Sequence, residues 1–294
     1  MNSNRLARQS EPTFHSESSS KYFLPNDATE RHRLRKQHEA IVAFMHDEPI
    51  HAPLSAKSDP TKIFDLGCGV NASMTLLLAK RFPSATVYGV DLSDIDIDNK
   101  PDNVTFIQGD IHKLIANDPR LAPGSADYIY SRFMAAGVND WSEHVKSIST
   151  LLAPGGFLEL HESIRATWRD SNDVEISRDW QWLQLMHPGM FWPSNDPTGL
   201  DFFQSLARNA GLENVQGKVY KLSPSDKPEA QLWSAFARDL FPTSWVAPIQ
   251  RLLPGEENRA RRKELQDELF ETLKPREGVY FPCVVVWGQR ATSS

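Results

Sequence analysis

Short apolar runs alternate with helical stretches between residues 62 and 161, and this alternation constrains the fold more than any other feature of the 294-residue chain. Ile63-Phe64-Asp65-Leu66 runs into Gly67-Cys68-Gly69 and then into a helical stretch at Ser73–Phe82. Ala85–Asp91, Asn103–Gln108, Ala126–Ser131 and Gly156–His161 follow as buried-strand patterns, with a helix at Trp141–Leu152 between the last two. Strands separated by helices pair in parallel through crossover units, so the chain reads as α/β. The rhythm breaks over 163–197, where Trp168, Trp180, Trp182, Met186, Met190, Phe191 and Trp192 lie among polar residues. It resumes with a helix at Leu200–Ala210, a strand at Asn214–Leu222, a mostly helical stretch from Glu229 to Leu273 and a final strand at Gly278–Gln289.

This divides the chain into a polar, disordered arm at 1–20, a helical cap at 21–60 and a main domain at 61–294. The main domain carries an aromatic lid insertion at 163–197 and a helical insertion at 229–275. In the cap, Asp27 is an N-cap candidate with Glu30 at capping-box spacing. The 32 basic against 38 acidic side chains leave a net charge of -6, which weighs against electrostatic capture of nucleic acid. Arg259, Arg261, Arg262 and Lys263 alternate with Glu256, Glu257 and Glu264, as on a solvated helix face. The longest apolar run, residues 40–45, is far below the ~20 residues that span a bilayer. Cys68 and Cys283 form no metal-spaced cluster, so no metal is expected. The N-terminal residues lack the apolar core of a signal peptide; a cytoplasmic setting is expected, with the nucleus an alternative.

The turn Asp65-Leu66-Gly67-Cys68-Gly69-Val70-Asn71 joins a strand to a helix, where small residues let the backbone approach a ligand. Asp91 ends the next strand, where a carboxylate can accept from ribose hydroxyls. Gly67, Gly69 and Ala72 also satisfy dinucleotide spacing, so charge is the discriminator. Asp65 would repel a pyrophosphate but suits an ammonium, and S-adenosylmethionine carries the ammonium without the phosphate. Asp110 follows the third strand, where it can accept from an adenine amino group.

On these residues the chain resembles the class I S-adenosylmethionine-dependent methyltransferases. The matching blocks are Ile63–Gly69, Val87–Ser93, Gly109-Asp110-Ile111, Asp127–Arg132 and Leu152–Glu159. More narrowly, Tyr22–Asp27 with Gln37-His38, Asn139-Asp140-Trp141 and Glu159-Leu160-His161-Glu162 is similar to the fungal LaeA-like methyltransferases of secondary metabolism. The resemblance implies a Rossmann-like, seven-stranded, mostly parallel sheet of order 3-2-1-4-5-7-6 with an antiparallel last strand and helical lid insertions. It also implies S-adenosyl-L-methionine as cofactor, held by Asp65, Gly67, Cys68, Gly69, Asp91, Leu92, Gly109, Asp110, Ile111 and Arg132. Asn71 departs from the pattern, which usually has a third glycine there, and asparagine tolerates a left-handed φ.

Ligands of open α/β sheets bind beyond the carboxyl ends of the strands, which puts Phe133, Met134, His161 and Glu162 on the acceptor side. His161 is the first candidate for a general base, with Glu162 beside it and His187 as a second base. Trp182, Met186 and Trp192 would cover an apolar acceptor from the lid, and Tyr22 and His38 would close the site from the cap. Arg132 has two further readings, binding an acceptor carboxylate or holding the lid through an ion pair. The function expected is methyl transfer to an oxygen or nitrogen of a small, secondary-metabolite acceptor. Two alternatives stand: a LaeA-like regulator acting through protein partners, and a non-methylating cyclisation or pericyclic step on the same fold. No nucleic-acid or membrane partner is expected, and DNA methylation in particular is disfavoured because Ser131-Arg132-Phe133-Met134 stands where amino-methylating DNA enzymes carry an Asn/Asp-Pro-Pro-aromatic motif.

Overall fold

The computed structural model describes Thr13 and residues 25–54, 59–163, 167–186 and 198–292. The arm expected at 1–20 falls outside them, Thr13 apart. The strands are β1 (Lys62–Leu66), β2 (Thr86–Asp91), β3 (Val104–Gln108), β4 (Ala126–Arg132), β5 (Leu152–Glu162), β6 (Leu212–Leu222) and β7 (Phe281–Arg290). They form one sheet in the order β3-β2-β1-β4-β5-β7-β6. The first five pair in parallel, and β7 runs antiparallel to both β5 and β6. This is the order that the resemblance implies.

The helices are α1 (Ala28–Phe44), α2 (Ser73–Arg81), α3 (Ile111–Asn117), α4 (Trp141–Ser149), α5 (Gln181–Met186), α6 (Leu200–Asn209), α7 (Gln231–Asp239), α8 (Val246–Leu252) and α9 (Arg259–Thr272). Side-chain alternation along the strands splits the core into two layers. Phe64, Leu66, Ile129, Leu158 and Leu160 face α4 and α6, where Trp141, Val145 and Ile148 recur at helical spacing against Phe203 and Leu206. Ile63, Val87, Tyr128 and Tyr130 face the other way, against Met74 and Leu78 of α2. Asp27 caps α1 by accepting from Glu30 N at 3.0 Å. The Glu30 carboxylate does not complete a capping box but pairs with Arg33, both side chains buried.

The aromatic insertion departs from expectation in its described part. Trp168, Trp180 and Trp182 are buried in a second core shared with α1, α7, α8 and α9. The Trp182 ring lies 5.6 Å from that of Trp245, and its indole N–H donates to Thr272 Oγ1 at 2.9 Å. Trp168 packs 5.3 Å from Phe281 of β7. These indoles anchor the helical insertion to the sheet. The basic run of α9 is solvated as expected, with exposed pairs such as Arg261–Glu264 and Lys263–Asp267. Among the described residues no helix is long and apolar enough to cross a membrane.

A buried carboxylate fastens the segment before β1 to the middle of the sheet. Glu159, fully buried in β5, accepts from His51 N (3.0 Å), Ala52 N (2.8 Å), Tyr128 Oη (3.0 Å) and His161 Nε2 (2.7 Å). Burial pushes its carboxyl up, but the donors from His161, His51 and Ala52 outweigh burial and hold it at about 2. Its folded value thus lies below the ordinary 4.5, so its contribution is present above that pH and is lost as the pH falls toward 2. Glu159→Ala is expected to lower the unfolding free energy at neutral pH by about 3–5 kcal/mol, because it strands several buried donors. Urea unfolding of parent and variant measures this, and the gap should narrow in acid; a gap that is small or independent of pH would contradict the role.

Candidate functional site

The site begins where β1 ends. Gly67 and Gly69 take φ of +73° and +71°, and Ala72 takes +43° as the N-cap of α2. These left-handed positions fold the turn back on β2, whose Val90 carbonyl accepts from Gly67 N at 2.8 Å and Cys68 N at 3.1 Å. Asp91 then fixes the turn through its side chain: Oδ2 accepts from Gly69 N and Oδ1 from Ser93 N, each at 2.9 Å. Its carbonyl accepts from Gly109 N at 2.8 Å, tying in the end of β3. A methyl at Gly67 would lie 2.0 Å from Met134 Sδ and would sit at a left-handed φ, so glycine lets the Met134 side chain pack directly on the turn. Asn71 does not need the left-handed tolerance expected of it; the positive φ falls on Ala72, and Asn71 Nδ2 donates to Ser73 Oγ at 2.6 Å.

Beyond these strand ends opens a cleft of about 600 Å³, within the size range of small-molecule sites. Asp65, Gly67, Cys68, Gly69, Asp91, Leu92, Gly109, Asp110, Ile111 and Arg132 all line it, as do Phe133 and Met134. Sequence reasoning missed the rest of the wall. Arg33, Leu34 and Gln37 of α1 cover one side, and their spacing on one helix face was the available signal. Phe241, Ser244 and Trp245 come from the insertion at 229–275, and Phe281 from β7. Their approach is a product of tertiary packing, and no local motif marks it.

The acids in the wall differ in state. Asp65 is buried and accepts from Thr75 Oγ1 at 2.6 Å; burial, opposed by Thr75 and by the charge of Arg132, raises its carboxyl to about 6. Asp110 caps α3 by accepting from Lys113 N at 3.0 Å while also lining the cleft, so the cap and ligand readings coexist. His144 Nδ1 lies 3.2 Å from His112 Nε2 in the same wall. Burial and its neighbour His112 hold His144 at about 3, as a neutral imidazole.

Several expected site residues stand elsewhere. His161 is fully buried behind Tyr130 and is not in the cleft wall. Its Nε2 is held by Glu159, and its Nδ1 accepts from Tyr130 Oη at 3.2 Å. With both ring nitrogens engaged, it does not present a base to an acceptor, and that reading is corrected. Glu162 points to the opposite layer, where Oε1 accepts from Met134 N at 2.8 Å and supports the loop after β4. His38 lies behind the wall with Nδ1 against Arg132 Nη2 at 3.1 Å; burial and that positive charge lower its imidazole to about 3. Trp182 and Met186 are core residues that do not line the cleft. Arg132 makes no ion pair among the described residues, so the lid tether is not seen. Tyr22, His187 and Trp192 lie outside the described residues. The His51–Glu159–His161 cluster has the donor types of a metal site. However, Glu159 Oε1 and His161 Nε2 at 2.7 Å are hydrogen-bonded, closer than two ligands around one ion usually stand.

Comparison with known proteins supplies an independent reading. A family model described as a methyltransferase domain matches residues 31–217. The methyltransferase pytC of Aspergillus terreus is 30% identical over 176 residues, covering 59% of this chain and 51% of its own. The secondary metabolism regulator laeA of Aspergillus fumigatus is 31% identical over 176 residues, covering 59% of this chain and 45% of its own. The chain thus spans about half the length of these curated relatives. Among solved structures, phosphoethanolamine N-methyltransferase 2 of Haemonchus contortus, in complex with S-adenosyl-L-methionine, superposes with a TM-score of 0.51 at 15% identity. That match covers 86% of this chain and 52% of the other, and it shows the shared fold.

Glu162 makes the site sensitive to pH. Burial outweighs the backbone donors of Met134, Ala135 and Ser163 and raises its carboxyl from 4.5 to about 8. A raised folded value gives stability that is full below 4.5 and is lost as the pH climbs through 8. Glu162→Gln removes this titration, so the variant should gain on the parent by about 2–4 kcal/mol between roughly pH 5 and pH 8.5. Thermal unfolding across that range checks it; a stability difference that does not change with pH would contradict the assignment.

Proposed function

The chain belongs to the methyltransferase domain family, and from that premise we propose that it is an S-adenosylmethionine-dependent methyltransferase acting on a small acceptor of the fungal secondary-metabolite type, at oxygen or nitrogen. The observation that carries this reading is the pair of carboxylates, Asp65 and Asp91, on either side of the left-handed glycine turn. The donor set fits the cofactor. The turn itself, residues 65–72, carries two glycines and an acid but no basic side chain, so it suits an ammonium and repels a phosphate. Asp91 is already oriented by Gly69 N and Ser93 N, and a carboxylate has about four acceptor sites, so holding the turn is compatible with receiving ribose hydroxyls. Asp110 and Ile111 would border the adenine.

When bound, the cofactor supplies a methyl on a sulfonium, transferred by in-line displacement. The protein's tasks are then alignment and exclusion of water. Gly67 and the Met134 side chain that fills the space above it would hold the sulfur end close to the strand ends. Phe133, Phe241, Trp245 and Phe281 offer an apolar surface for the acceptor body. With His161 and Glu162 directed away from the cleft, alignment of an already acidic or amine acceptor is the simplest chemistry for this wall.

Isothermal titration with S-adenosylhomocysteine tests the reading. Asp91→Ala should lose about 1.5–3 kcal/mol, or roughly tenfold or more in affinity, with thermal unfolding followed in parallel to check the fold. Binding should also weaken as the pH falls below about 6, because the ammonium needs an ionised Asp65, and Asp65→Asn should flatten that dependence. Unchanged affinity in Asp91→Ala would overturn the cofactor assignment.

A further inference from the structure

Among the described residues of the cleft wall, Arg132 Nη1, Ser163 Oγ and His144 Nε2 are buried polar atoms without a hydrogen-bond partner, and the first two belong to residues at adjacent strand ends. Arg132 ends β4 and pairs in register with His161 of β5, and Ser163 directly follows Glu162, the last residue of that neighbouring strand. Ser131 Oγ and Glu162 Oε2 are also unpaired, but these residues are not in the cleft wall. A buried donor without an acceptor costs about 1–3 kcal/mol, and more when charged, so two of them on residues that line one cavity call for a partner.

The charge of Arg132 is likewise unanswered. Its hydrogen-bond partner is His38 Nδ1 at 3.1 Å, an acceptor on a neutral ring. No carboxylate of the described residues comes within ion-pair distance of it. Asp65 and Glu162 feel its field without pairing to it, and Glu162, raised to about 8, is largely protonated at neutral pH. Phe133, Met134 and Phe281 add apolar surface to the same cleft, and a charge-assisted hydrogen bond gains strength away from water.

We propose that Arg132 and Ser163 form an oxyanion subsite that takes a carboxylate, with the guanidinium and the hydroxyl both donating to it. The carboxylate has two sources, the amino-acid end of the cofactor or an acid group on the acceptor. The subsite deepens the cofactor reading and rests on it only where the cofactor is the source.

The experiment compares parent, Arg132→Gln and Ser163→Ala by calorimetry. The probes are S-adenosylhomocysteine; methylthioadenosine, which keeps the adenosine and sulfur but lacks the amino acid; and 2-naphthoate against its methyl ester on S-adenosylhomocysteine-loaded protein. If the cofactor is the source, Arg132→Gln weakens S-adenosylhomocysteine about tenfold or more and leaves methylthioadenosine within about twofold. If the acceptor is the source, S-adenosylhomocysteine holds, and a preference for acid over ester of about fivefold or more disappears. Ser163→Ala, which removes a single hydroxyl, should show a smaller loss in the same arm and serves if Arg132→Gln does not fold. The proposal is overturned if both variants bind all four probes in the parent's ratios, or if the parent shows neither preference. Failure of both S-adenosylhomocysteine and methylthioadenosine to bind the parent would instead count against the cofactor reading, and 2-naphthoate against its ester on the ligand-free protein then decides the subsite.

Discussion

The hydrogen bond from Gly69 N to the Asp91 carboxylate is the contact on which the rest of the site depends. It joins a turn that only small residues can form to the end of the neighbouring strand. With the paired donations of Gly67 N and Cys68 N to Val90 O, it leaves the backbone no freedom to fill the cleft. The same carboxylate stands in the cleft wall, so the group that shapes the turn is also the group offered to a ligand. Binding geometry of this kind is set before any ligand arrives, which limits the ordering cost of association.

A second constraint lies behind the wall. Glu159, His161, Tyr128 and Tyr130 form a continuous hydrogen-bonded row on one face of the sheet, and the row reaches the segment before β1 through His51 and Ala52. Tyr130 is the member of the row that also lines the cleft. The chemistry that makes His161 look catalytic in isolation is spent on fixing Tyr130 and Glu159. On the opposite face, Glu162 performs a related service for the loop at Met134, so the cleft is supported from both layers.

Much of this was legible in the sequence, because the signals involved are local. Strand periodicity, the glycine turn and the acid ending β2 each occupy a few consecutive residues, and the strand order followed from a family resemblance carried by such blocks. The glycines and acids that line the cleft were legible for the same reason. What escaped depends on which face of the sheet a residue takes. Alternation puts Glu159 and His161 on one side and Glu162 on the other, yet no local rule says which side meets the ligand. The tryptophans of the insertion show the same limit: indoles that suit a lid also suit a core, and Trp182 is drawn inward by Trp245 and Thr272. Phe241, Ser244 and Trp245 reach the cleft from a segment more than a hundred residues away from the turn they face.

The central claim is that the cleft at the ends of β1, β2 and β3 is the seat of the cofactor. A crystal structure of the protein with S-adenosylhomocysteine tests it most directly. The account predicts ribose hydroxyls within hydrogen-bond distance of Asp91, the ammonium toward Asp65 and the adenine beside Asp110 and Ile111. A ligand seated elsewhere, or one whose ribose points away from Asp91, would contradict it.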